Sequence, residues 1–173
     1  MAGVKTAANG KIKIALLVGA DLPSDIETPL AVAKLTAAPD ISCNVAFNGF
    51  VAGFTASDTM SDPAVCEATN SQTRGASNFQ VSLPIFWYID ATTGAYAALD
   101  NDAYEALKKA GTVAAIAVRR HKDAKLAWVS GDIYDIFLFE TDEPQSSDGQ
   151  GYVKKLINGL PRSARQDLVV AGA

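Results

Sequence analysis

Residues 133–141 read IYDIFLFET. In an extended chain, alternate side chains point to opposite faces. Ile133, Phe137 and Phe139 then share one face, and Tyr134, Ile136 and Leu138 share the other. A strand that is apolar on both faces is covered on both sides. The stretch therefore predicts the centre of a layered β-domain, with a helix or another subunit as its second cover.

The flanking sequence extends this reading. TVAAIAVRR (112–120) predicts a strand, HKDAK (121–125) a turn, and LAWVS (126–130) the return limb, with Gly131 and Asp132 as a bulge. DEPQSSDGQG (142–151) is an acidic, turn-forming loop. YVKKLINGLPRSARQDLVV (152–170) predicts a final strand that closes the sheet, with a basic bend at Arg162 and Arg165. Toward the N-terminus, residues 1–10 are small and polar and read as a flexible arm, and Lys11–Gly19 alternates as a first strand. Pro23 and Pro29 make residues 20–30 an irregular connection. AVAKLTAAP (31–39) fits a helical turn or a strand. Ile41–Ala56 is aromatic and β-branched, with Gly49 and Gly53 as bulges or bends. FQVSLPIFWYID (79–90) resumes strand character, and Pro84 favours an edge or a bulge there.

One helix is legible, at DNDAYEALKKAG. Asp100 or Asn101 is placed to cap it, and Glu105 and Lys109 form an i,i+4 pair. Ala103, Ala106, Leu107 and Ala110 make an apolar stripe, and Gly111 suits the left-handed residue past the end. The predicted helix spans residues 100–110. A helix so short is marginal alone, so it must pack on the sheet.

Residues 57–78, SDTMSDPAVCEATNSQTRGASN, have no apolar period. Hairpin loops usually take two to five residues. A polar segment of this length is disordered, functional, or folded only against a partner.

The 173 residues suit a single domain that buries roughly 70% of its unfolded surface. Net charge is −4, which argues against a general nucleic-acid binder. No apolar run reaches the roughly 20 residues of a membrane span. KIKIALLVGA also reads as a short signal peptide ending at Ala20, against the first strand. Cys43 and Cys66 are the only cysteines: reduced thiols inside a cell, or a disulfide if the protein is exported.

No catalytic, cofactor or metal motif is legible. His121 is the one histidine and sits in a charged turn. Glu105 stands where a calcium loop opening at Asp100 would need Gly. Trp87 and Trp128 read as core or interface anchors. Asp90, Asp132 and Asp135 lie in or beside apolar strands, where a lone carboxylate has no place in a core. Each suits a water-filled lumen, or an ion pair with Arg119, Arg120 or Lys125 across a subunit boundary.

Four stretches together carry a resemblance: GFVAGFTASDTMSDPAVCEATNSQTRGASNFQVSLPIF (49–86), DNDAYEALKKAG (100–111), WVSGDIYDIFLFETDEPQ (128–145) and YVKKLINGLP (152–161). Their layout, over most of residues 40–170, resembles the major tail tube proteins of long-tailed, siphovirus-type bacteriophages, particularly those of actinobacteria. The resemblance implies one domain, mainly β: a β-sandwich or partial barrel with a flanking helix, a long hairpin loop and extended termini. It implies a virion protein, made in the host bacterial cytoplasm, with no enzymatic activity, cofactor or membrane contact. It further implies that six copies form a ring, and that rings stack into a tube that conducts DNA without binding it specifically. A tape-measure protein and other tail proteins are the further partners. Residues 57–78 become the loop that reaches an adjacent ring, with Ser57, Asp58, Asp62, Glu67, Arg74 and Gly75 as candidate contacts. An acidic lumen would repel phosphate, whereas Lys and Arg would hold it. Residues 20–40 depart from the pattern and leave the first strand pairing open. The rivals are a secreted or surface β-sandwich binding module with a Cys43–Cys66 disulfide, a phage capsid-decoration protein, and a small hydrolase using Asp132, Asp135 or Asp142.

Overall fold

The computed structural model describes residues 10–60, 73–74, 76–90, 92–147 and 151–172. Its strands are β1 (Lys13–Val18), β2 (Val51–Phe54), β3 (Thr59–Met60), β4 (Thr73–Arg74), β5 (Phe79–Phe86), β6 (Val113–Arg119), β7 (Ile133–Thr141), β8 (Gln145–Ser147) and β9 (Lys154–Val169). Its α-helices are α1 (Val32–Ala37) and α2 (Asp102–Leu107). The main sheet is antiparallel and open, in the order β1-β6-β7-β9-β5-β2, with β8 also on β9. It is not closed into a barrel, and a β-sandwich with a flanking helix describes it.

β7 has the two covered faces its sequence predicts, except at Ile133, which begins the strand and is half exposed. Phe137 and Phe139 join one core with Ile14, Ile116, Leu83 and Leu107. Tyr134 and Ile136 join a second with Leu17, Leu35 and Trp128. Both covers come from the chain itself. α2 and β5 lie over the first face, and α1 with the connection before it lies over the second. The irregular segment 20–40 is therefore a lid, and α1 resolves the helix-or-strand ambiguity of residues 31–39. Ile26, Leu30 and Leu35 bury its underside. Tyr134 pins it by accepting the Leu30 N–H at 2.7 Å, and Arg165 pairs with Glu27 on its outer face.

β9 is central, where the sequence reading has it closing the sheet. Lys154–Gly159 pairs with β5, and Gly159–Val169 pairs with β7. Gly159 is the point where both neighbours meet the strand, and the Phe139 side chain packs against it. A Cβ at Gly159 would stand 2.6 Å from Phe139 Cδ2 and 2.8 Å from Cγ. Arg162 is an extra residue on β9, since Leu138 faces Ser163 while Phe139 faces Pro161. The basic bend predicted at Arg162 is thus a bulge. Gly159→Ala is expected to cost about 1–3 kcal/mol by overpacking, read as a shift in the denaturant midpoint. An unchanged midpoint would mean that Phe139 has room to move aside.

Other expectations need correction. Residues 126–130 form no strand. They belong to an irregular loop, because Arg119 takes their carbonyls (below). Ile41–Phe50 forms turns, and only Val51–Phe54 is strand. Pro84 sits just past the end of β2, whose pairing stops at Ser82. Its carbonyl accepts the Ala46 N–H at 2.8 Å, so its missing N–H falls on the side that β2 has vacated. α2 ends at Leu107, preceded by a 3-10 turn at Ala98–Asn101. Neither Asp100 nor Asn101 caps it. Asn101 is buried, and its amide donates to Tyr88 O at 2.9 Å and Ala97 O at 2.7 Å while accepting the Tyr88 N–H at 3.0 Å. Glu105 pairs with Lys108 at 2.6 Å in place of Lys109. Ala103 and Leu107 are the buried stripe.

Candidate functional site

The long polar segment 57–78 is built on a ribbon. Beyond the Phe54–Phe79 pair of β2 and β5, the Thr55 N–H donates to Asn78 O at 2.8 Å and the Asp58 N–H to Ala76 O at 3.1 Å. β3 and β4 then continue the pairing through Thr59–Arg74 and Met60–Thr73. Asn78 ties the two limbs by donating to Asp58 Oδ1 at 2.8 Å. Of the loop candidates, Ser57, Asp58 and the Arg74 backbone belong to this stem, while Asp62, Glu67 and Gly75 lie outside the described residues. The stem needs no apolar period, because backbone pairing alone continues the β2–β5 hairpin.

A second feature is the loop between β6 and β7, residues 120–132. Arg119 and Asp132 at its two ends are completely buried. Arg119 Nη1 donates to Asp132 Oδ2 at 2.6 Å and to Ala127 O at 2.9 Å. Its Nη2 donates to Asp123 O at 2.9 Å and Leu126 O at 2.8 Å. The guanidinium lies 5.0 Å from the Trp128 ring centre. One planar cation thus satisfies the carbonyls of a loop that has no ladder of its own. Asp132 also accepts from Lys122 and from the Val129 N–H, and His121 Nε2 lies 3.4 Å away. Burial raises the Asp132 pKa, but the bonds from Lys122 and Arg119 more than offset it, leaving it at about 2.

The three acids singled out by sequence therefore have local partners. Asp132 is completely buried within its own chain. Asp135 pairs with Arg120 of the same chain, which also donates to Ala52 O at 2.5 Å. Asp90 holds its own turn, accepting from the Thr92 and Thr93 N–H groups at 2.9 and 2.7 Å. The ion pairs expected across a boundary to Arg119 and Arg120 form within the chain. Lys125 takes no part in them. The carboxylates of the hydrolase rival are split the same way: Asp132 and Asp135 are held by cations, and Asp142 accepts the Glu143 N–H at 2.8 Å. Among the described residues no group of His, Cys, Asp and Glu is placed to hold a metal. No helix among them is long and apolar enough to cross a membrane. Cys43 is exposed, and Cys66 lies outside the described residues.

Sequence reasoning caught only part of one further surface, through Trp87 as a core or interface anchor. Of Phe86–Ile89, read as more strand, only Phe86 belongs to β5; Trp87 donates its N–H to Val153 O at 3.1 Å and Ile89 bridges to Tyr96. Phe86 meets Tyr152 edge to face at 5.8 Å, and Trp87 meets Tyr96 at 5.9 Å. The signal available was the run FWYI, too apolar for the end of a strand unless something covers it. Trp128, by contrast, is a core residue, as one of its two readings had it.

The family model for phage tail tube proteins matches residues 1–173. The chain belongs to the phage tail tube protein family. A chain of the anti-feeding prophage baseplate, solved by cryo-electron microscopy with 6-fold symmetrisation, has the same fold at a TM-score of 0.52. The two are 10% identical, and the similarity covers 94% of this chain and 96% of that one. No curated protein matches the chain. As a tail tube protein it is a structural subunit of the virion tail. Its functional surfaces are those that meet other tail subunits, and the β3–β4 stem of segment 57–78, the β6–β7 loop and the aromatic face are the candidates.

Proposed function

We propose that this tail tube protein assembles into six-membered rings, and that the rings stack into a hollow tube through which DNA leaves the virion for the host. The family match over residues 1–173 carries the reading. The net charge of −4 supports it, since an acidic conduit does not retain phosphate. Rings that stack through unlike faces generate an open filament. The 57–78 segment reaches the adjacent ring, and a tape-measure protein and other tail proteins are the further partners. A siphovirus-type tail and an actinobacterial host remain part of the same proposal, on the sequence resemblance.

Sedimentation velocity over a range of concentrations tests the oligomer. Masses that grow in steps of six subunits are expected, and a monomer at every concentration would overturn the reading.

The hairpin makes a separate prediction. A two-stranded ribbon alone is marginally stable, and Thr55, Asp58 and Thr59 are exposed. The Thr55 and Asp58 amides are expected to exchange quickly in the free subunit and slowly in the tube, because a neighbouring ring orders the stem. Equal protection in both states would show that the hairpin makes no contact between rings.

A further inference from the structure

We propose that the β6–β7 loop of one copy docks in the aromatic groove of another, joining copies head to tail. This rests on the self-assembly proposed above and names the surfaces that make one of its contacts.

The groove is formed where β5 ends and β9 begins. Phe86, Trp87, Tyr88 and Ile89 line it on one side and Tyr152 and Val153 on the other, around an open volume of about 460 Å³. The ring contacts at Phe86 and Trp87 and the Asn101 clamp on Tyr88 fix its shape. Its rim is uncovered: Tyr152 is 79% exposed, Ile89 53% and Val153 51%. Contiguous apolar surface of this kind marks an interaction site, and aromatic side chains dominate the centres of such sites.

The loop carries the complement. Leu126, Val129, Ile133 and Val169 are each about half exposed. Ile133 pairs with Val169, and the Gly131 N–H donates to Val170 O at 3.1 Å, so Val129, Ile133 and Val169 lie together at one end of the sheet. Arg119 already holds the loop, so docking orders little that was free.

Within one chain the two surfaces stay apart. The groove adjoins the first residue of β9, and the loop adjoins the last of its 16 residues. That is a contour of roughly 50 Å. Only a second copy can bring loop and groove together, and a contact between unlike patches of identical chains propagates into a ring or a filament. Charge favours the same orientation. Exposed Lys125 on the loop, and exposed Asp100 and Asp102 beside Tyr88, take part in no ion pair among the described residues. Lys155, 5.4 Å from the Trp87 ring centre, is engaged with Ser146.

Photo-crosslinking of the full chain tests the contact. With benzoylphenylalanine in place of Leu126, links between copies to residues 86–89 or 151–153 are expected under assembly conditions. Links to any other segment would overturn the proposal. In parallel, Leu126→Asp and Tyr152→Ser change exposed side chains and should melt like the parent. Each should raise the concentration needed for assembly roughly tenfold or more. If the parent assembles and both variants match it, the loop–groove contact is wrong while the tube reading stands. If the parent stays monomeric, the tube reading falls and the contact with it.

Discussion

Arg119→Met is expected to destabilise the subunit by about 3–5 kcal/mol, the loss typical of removing one partner from a buried ion pair. The side chain makes four hydrogen bonds, three of them to loop carbonyls. Methionine fills part of the volume but donates nothing, and Asp132 stays buried with Lys122, the Val129 N–H and the nearby His121 in place of the guanidinium. Urea titration of parent and variant reads the difference. The double variant Arg119→Met/Asp132→Asn should lose less than the sum of the two single losses, because the buried charge goes with its partner. Additive losses would mean that the two groups do not act as a pair.

The same carboxylate sets an acid limit. The folded pKa of Asp132 lies at about 2, below the ordinary value of 3.8. A lowered folded pKa stabilises above the unfolded value and stops doing so as pH falls through the folded one. Its contribution is therefore complete above about pH 4 and gone near pH 2. Asp132→Asn should flatten the fall in stability over that window. An unchanged slope would put the acid sensitivity elsewhere.

Leu107→Asp is expected to leave no folded subunit at room temperature. Leu107 is wholly buried in the core under α2. Losing a buried leucine costs about 2–5 kcal/mol, and an unpaired carboxylate in the same place adds several more. A domain stable by roughly 5–15 kcal/mol does not absorb that. Glu105→Ala, two residues away on the outer face, removes a surface pair with Lys108 and a bond from Tyr96. Its melting temperature should stay close to the parent's. Circular dichroism melts of the two variants separate the faces, and similar melts would mean that the buried side of α2 is misassigned.

The layered β fold was legible because IYDIFLFET is apolar on both strand faces, and β1 and β6 likewise supply residues to both cores. The buried stripe of α2 was legible from Ala103 and Leu107. Its ends were not. The amide of Asn101 looked like a cap in sequence, but it serves Tyr88, a residue 13 positions away that no local rule reports. The central place of β9 was hidden for a similar reason. Residues 152–170 read as a last strand closing the sheet with a basic bend at Arg162, yet Gly159 lets β7 and β5 meet the strand at one point. The candidate acids were chosen for being out of place in apolar strands. That oddity was real, but its cause was internal: RRHKDAK looked like a solvated turn, and its first arginine is the most thoroughly bonded side chain of the loop. Charge runs do not disclose which member is buried, because burial depends on the strand that returns to cover it.

Electron microscopy of the concentrated, purified protein tests the central claim most directly. Hollow tubes with six subunits per layer in end-on averages are the expected result. Monodisperse single subunits, or filaments with no central channel, would contradict it.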